Sequence, residues 1–192
     1  MNNKSLSLAV VLLTMLAVCV GGVLPICGNT ATSSISEGSL LPRFTMESKL
    51  SPDMLQYLGL EAGPDFTLSQ IRSKLVVIEV LSVLCQECHK NAPRVNKLFN
   101  IISNDSDLNS HLKMLGIAVG NDTKMVDVYK KTFKVKFPIV ADPKEDISKQ
   151  LGNVATPSII IADSKGMVLF IHEGVIDDMD LILDVVRTFV SQ

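Results

Sequence analysis

The chain has no tryptophan, only four cysteines in 192 residues, and no cluster of lysine and arginine along its length. Each absence removes a class. With a net charge of −2 and no basic stripe, nucleic acid is excluded as a partner. Cys19 and Cys27 fall inside an N-terminal apolar run, leaving the folded part with Cys85 and Cys88 alone, too few for a disulfide-stapled miniprotein. A structural zinc site needs four ligands. No second Cys/His pair stands beside Cys85 and Cys88, and His111 and His172 are isolated and read as surface residues. No metal or organic cofactor is implied, and no internal repeat points to a solenoid.

What is present is 47% apolar sequence, enough for one domain with a real core plus an appendage. The appendage is residues 1–27, where Leu6 to Ile26 runs 21 residues without a charge after Lys4. This reads as an export signal or a membrane anchor. As a helix the run spans about 31 Å, matching a hydrocarbon core of about 30 Å, whereas Gly21, Gly22 and Pro25 resemble the end of a cleavable signal. Lipid attachment is disfavoured because bulky Val18 and Ile26 precede the two cysteines. Residues 28–41 shift to Gly, Ser, Thr and Asn and read as a flexible linker, placing the folded domain at 42–192.

Within the domain, Phe44–Met46 and Phe66–Leu68 are short strand candidates, with a helical turn at Pro52–Leu58. Leu75–Leu81 is apolar on both faces, the pattern of a strand covered by helices on each side of a sheet. An amphipathic helix follows over His89–Ile102, adjusted by Pro93. The spacing then predicts a strand at Leu112–Val119, a helix at about Asp122–Thr132 and a short strand at Phe137–Val140. Asp142-Pro143 is expected to cap and open a further helix that ends near Gly152. Ser158–Ala162 and Met167–Ile171 form a hairpin, and Asp177–Val190 is a final helix with Ile182, Leu183, Val186 and Val190 on one stripe.

Cys85-Gln86-Glu87-Cys88 sits where the central strand gives way to a helix. A thiol delivered to a helix N-terminus meets unpaired N–H groups and the positive end of the macrodipole, which favour its thiolate. The pair therefore reads as redox-active, with Cys85 nucleophilic and Cys88 one turn further in.

These residues resemble the thioredoxin superfamily, and most closely the TlpA-like, redoxin-type thiol-disulfide oxidoreductases that are exported or membrane-tethered in bacteria. The likeness covers roughly Pro42 to Ser191. It rests on Cys85-x-x-Cys88 after a hydrophobic strand, Pro93 five residues later, the run Phe137-Pro138-Ile139-Val140-Ala141-Asp142-Pro143, and Ala155-Thr156-Pro157-Ser158-Ile159-Ile160-Ile161-Ala162-Asp163. The resemblance implies a thioredoxin-like α/β fold, a central mixed sheet flanked by helices with an inserted αβ element. It implies Cys85 as the attacking thiol, Cys88 as the resolving thiol, Glu79 as a buried proton relay, and Thr156-Pro157 as the cis-proline loop that pairs with substrate backbone. The competing readings are a glutamate facing water at a sheet edge for Glu79, and a trans proline that starts a strand for Pro157.

By the same resemblance the substrates are protein disulfides, apocytochrome c among them, and electrons come from a membrane thiol donor on the extracytoplasmic side. Leu84 stands where relatives carry tryptophan, and Gln86-Glu87 lacks their proline. With nothing but the helix end to stabilise the thiolate, a reducing pair is expected. Three alternatives share the motif. Cys85-x-x-Cys88-His89 spells a c-type haem attachment site, but the motif follows a strand and precedes a proline-marked helix in an α/β pattern, and His89 is read as a solvent-facing helix residue. A peroxiredoxin-type peroxidase fits Ser82, three residues before Cys85, but wants a proline where Ile78 stands. A redox-dead binding module is argued against by the intact cysteines.

Overall fold

A seven-residue run with no charged residue except Glu79 becomes the middle of the sheet. The computed structural model describes residues 35–191 apart from 48, 62 and 64, and the expected leader, residues 1–27, lies outside the described residues. In chain order the elements are β1 (Thr45–Glu47), α1 (Pro52–Leu58), β2 (Asp65–Thr67), β3 (Leu75–Leu81), α2 (Gln86–Asn104), α3 (Ser106–His111) and β4 (Leu112–Val119). Then follow α4 (Thr123–Phe133), β5 (Ile139–Asp142), α5 (Asp146–Gln150), β6 (Ser158–Asp163), β7 (Val168–Glu173) and α6 (Met179–Val190).

The main sheet has the order β5-β4-β3-β6-β7. β3 runs parallel to β4 and antiparallel to β6, so the sheet is mixed, as the resemblance implies. All seven residues of β3 are buried, because alternate side chains enter two different cores. Leu75, Val77 and Leu81 face α2, α4 and α6. Val76, Ile78 and Val80 face the β1–β2 ribbon, α1 and α5. Glu79 shares the phase of the first set, so its carboxyl points toward α2.

Helix α2 carries its buried residues Cys88, Asn91, Ala92, Val95, Leu98 and Ile102 on one stripe, the spacing an amphipathic helix needs. It starts three residues earlier than the periodicity indicates and runs without a break through Pro93. Its opening residues are polar, and only the cap geometry makes them helical. Helix α6 buries the expected stripe of Ile182, Leu183, Val186 and Val190.

Two expectations are corrected and one helix is added. Residues 36–41 are not a free linker, because Gly38 and Leu41 donate to the Val168 and Gly166 carbonyls, both at 2.8 Å, and Val168 donates to Ser39 at 2.9 Å. A bridge joins Leu40 to Met167. Backbone pairing of this kind is indifferent to the Ser/Gly composition that suggested flexibility. Helix α5 opens at Asp146, not at Pro143; Asp142 still caps it, but from across the turn, its carboxylate accepting the Ile147 and Ser148 amides at 3.2 and 2.9 Å. Helix α3, which the hydrophobic pattern does not suggest, is started by Asp105, whose side chain accepts from the amides of Asp107 and Leu108.

Candidate active site

Cys85 is the N-cap of α2, in extended conformation with φ −81° and ψ 120°. Its sulfur accepts the Cys88 amide at 3.3 Å, the place a serine or aspartate oxygen takes in an ordinary cap. The thiol also reaches across the sheet to the Thr156 carbonyl at 3.4 Å, which places the Cys85 sulfur against the loop before β6. Cys85 is half-buried, Cys88 is fully buried, and both are free thiols.

The two sulfurs differ as acids. Partial burial pushes the Cys85 thiol up, but hydrogen bonds from the Cys88 thiol, the Cys88 amide, the Thr156 side chain and the Glu87 amide outweigh it and leave Cys85 below its ordinary value. More than the helix end therefore stabilises this thiolate, which corrects the expectation that nothing else does. Burial pushes Cys88 up to about 12, only partly offset by the Ser82 amide, which donates to its sulfur at 3.4 Å. The exposed Glu87, whose charge opposes a thiolate, is matched by Lys90 at 2.6 Å.

Glu79 is 1% exposed on the central strand. The edge-of-sheet alternative is thus removed. Burial raises its carboxyl to about 8, and its Oε1 has no hydrogen-bond partner. An orphaned buried carboxyl is costly, so it stays largely protonated near neutrality. Tyr129 of α4 closes the same region, donating to the Cys88 carbonyl at 3.4 Å. Burial first, and then the nearby charges of Glu79, Cys88 and Cys85, hold this phenol well above its ordinary range.

The Thr156-Pro157 bond is cis, so the trans alternative is set aside. Pro157 is anchored by its carbonyl, which accepts the Gly174 amide at 2.8 Å. The structure thus brings together Cys85, Cys88 and Thr156 at one end of the sheet, with Pro157 adjoining and Glu79 on the strand that leads to them. His111 and His172 make local contacts within their own segments and join none of these residues.

His89 differs from its expected place. Its Nε2–H donates to the Val83 carbonyl at 2.7 Å, and its ring lies 5.0 Å from the Phe133 ring. A half-buried imidazole engaged in this way is not offered to a haem iron, which weighs against the haem alternative. Tyr129 and Asn121 escape the pattern of the sequence altogether. Tyr129 is one of only two tyrosines, and its position one turn after Val126 signals a core residue at most. Among the described residues no three His, Cys, Asp or Glu side chains gather into a metal-ligating group.

Comparison with known proteins gives a consistent picture. A family model described as Redoxin matches residues 36–182. The curated thiol-disulfide oxidoreductase ResA of Geobacillus thermodenitrificans is 23% identical over 180 residues, covering 94% of each chain. The thioredoxin domain of a thiol-disulfide oxidoreductase from Bacteroides vulgatus superposes with a TM-score of 0.61 at 18% identity, covering 82% of this chain and 99% of that one. A thiol-disulfide isomerase from Corynebacterium glutamicum superposes with a TM-score of 0.58 at 26% identity, covering 81% and 97%.

Proposed function

The chain belongs to the redoxin family, and on that premise we propose that it is an exported thiol-disulfide oxidoreductase that reduces protein disulfides. The observation carrying this reading is the asymmetry of the two thiols. Cys85 is half-buried and eased toward its thiolate, whereas Cys88 is sealed and held protonated.

The Cys85 thiolate attacks one sulfur of a client disulfide, forming a mixed disulfide, and the client's other sulfur leaves as a thiolate. Cys88 then gives its proton to Glu79 in the minority of molecules in which that carboxyl is ionised, and attacks the Cys85 sulfur. The Cys85–client bond breaks, a Cys85–Cys88 disulfide forms, and the second client sulfur departs. Two electrons pass from the dithiol to the client. Once ionised, Glu79, near 8, is a stronger base toward a thiol proton than a carboxylate of ordinary acidity. The Thr156-Pro157 loop organises the substrate, lying beside the attacking sulfur where an extended client backbone can pair with it.

Export follows from the leader at residues 1–27, as a cleaved signal or as an anchor over residues 6–26. Among the described residues no helix is long and apolar enough to cross a membrane. Electrons return from a membrane thiol donor, and apocytochrome c is the client class. Trapping tests this directly. Cys88→Ala protein, expressed in its native compartment, should accumulate mixed disulfides through Cys85, and recovery of apocytochrome c among them supports the client. Capture of unrelated proteins alone rejects that client, and a failure to trap any protein rejects the mechanism.

A further inference from the structure

The loop joining β3 to α2 is gripped at both peptide units that flank Val83. The Val83 amide donates to Asn121 Oδ1 at 2.8 Å, and the Val83 carbonyl accepts from His89 Nε2 at 2.7 Å. Asn121 belongs to the β4–α4 loop and is 1% exposed. Its own amide donates to the Ala118 carbonyl, so the carboxamide is presented from a closed turn. His89 rises from the first turn of α2, and its ring rests against Phe133 and Tyr129 at 5.0 and 6.2 Å between centroids. Two separate elements thus meet on Val83, and α4 backs the ring of one of them.

The preceding residue bonds to both cysteines. The Ser82 amide donates to the Cys88 sulfur at 3.4 Å, and the Ser82 carbonyl accepts the Cys85 amide at 3.0 Å. The Ser82 carbonyl and the Val83 N–H share one planar peptide unit, so fixing that N–H through Asn121 fixes the carbonyl that receives the Cys85 amide. We propose that His89 and Asn121 are positioning residues that clamp the two peptide units flanking Val83 and so hold Ser82 against the cysteines, its carbonyl on the Cys85 amide and its amide on the Cys88 sulfur, setting the stability of the reduced pair. This rests on the reading of Cys85 and Cys88 as a working redox couple. A disulfide sulfur accepts a hydrogen bond more weakly than a thiol or thiolate. Releasing the clamp therefore costs the dithiol more than the disulfide, and the pair becomes more reducing.

The test measures the equilibrium constant of the pair against glutathione for the wild type, His89→Phe, His89→Gln and Asn121→Leu, with thermal unfolding and hydrogen exchange at the Val83 amide. His89→Phe keeps a ring against Phe133 but has no donor. It is expected to move the constant about three- to tenfold toward the disulfide, the effect of one hydrogen bond. That corresponds to about 14–30 mV for a two-electron couple. Asn121→Leu should shift the constant in the same direction and speed exchange at Val83, while His89→Gln, which retains an N–H donor, should lie closer to the wild type. A folded His89→Phe protein with the wild-type constant overturns the clamp. Should that variant fail to fold, an unmoved constant in Asn121→Leu overturns it equally. A wild type with no reversible couple brings down the functional reading itself, whereas a normal wild-type couple with unmoved variants brings down only the clamp.

Discussion

Cys85 caps a helix with its sulfur while Cys88 lies sealed beneath, and each modifies the other. Because the Cys88 thiol is one of the groups lowering Cys85, Cys88→Ala should raise the Cys85 half-titration point, read from the pH dependence of alkylation by iodoacetamide. An unchanged titration would mean that the helix end and Thr156 suffice. Glu79 gives a second test through linkage. Its folded value of about 8 lies above the ordinary 4.5. Between those values the folded chain keeps a proton that the unfolded chain has released, so stability falls as pH rises through that window and levels off above it. Urea unfolding at a series of pH values should show this decline, on the order of 1.4 kcal/mol per pH unit at its steepest, and Glu79→Gln should flatten it. The placement of the cysteines was legible because strand, cap and spacing are all local in sequence. The environment of His89 was not, since the Phe133 ring it packs on lies more than 40 residues away along the chain.

Among the elements, those with long periodic patterns were readable and those made by capping were not. Strand β3, the β6–β7 hairpin and helix α6 follow from apolar spacing that any neighbour would bury. Helices α3 and α5 are one or two turns long, too short for periodicity to register, and owe their existence to Asp105 and Asp142. The reach of Asp142 to amides five and six residues on cannot be inferred from an Asp-Pro pair, because it depends on the left-handed Glu145 at φ 60°. Asp142→Ala should therefore cost about 1–2 kcal/mol of stability, the upper part of the range for lost caps, measured by chemical denaturation. A loss within error of zero would show that the turn holds itself.

For the molecule as a whole, the mixed sheet and flanking helices were recoverable from element order, but the start of the fold was not. Segment 36–41 covers the outer edge of β7, which would otherwise offer open N–H and C=O groups for pairing with other chains. A protein beginning at Pro42, the boundary composition suggests, should be less stable than one beginning at Ile35 by about 1–3 kcal/mol, given three backbone hydrogen bonds lost. It should also self-associate in light scattering. Equal behaviour of the two would make the covering segment dispensable. The architecture also imposes an order of events during synthesis. Cys85 and the Thr156 carbonyl it touches are 71 residues apart, and β6 joins β3 only after β4 and β5 have been made. A nascent chain therefore displays its thiols well before the opposing half arrives. During that interval neither sulfur has the Thr156 loop against it, and any oxidant present meets bare thiols first.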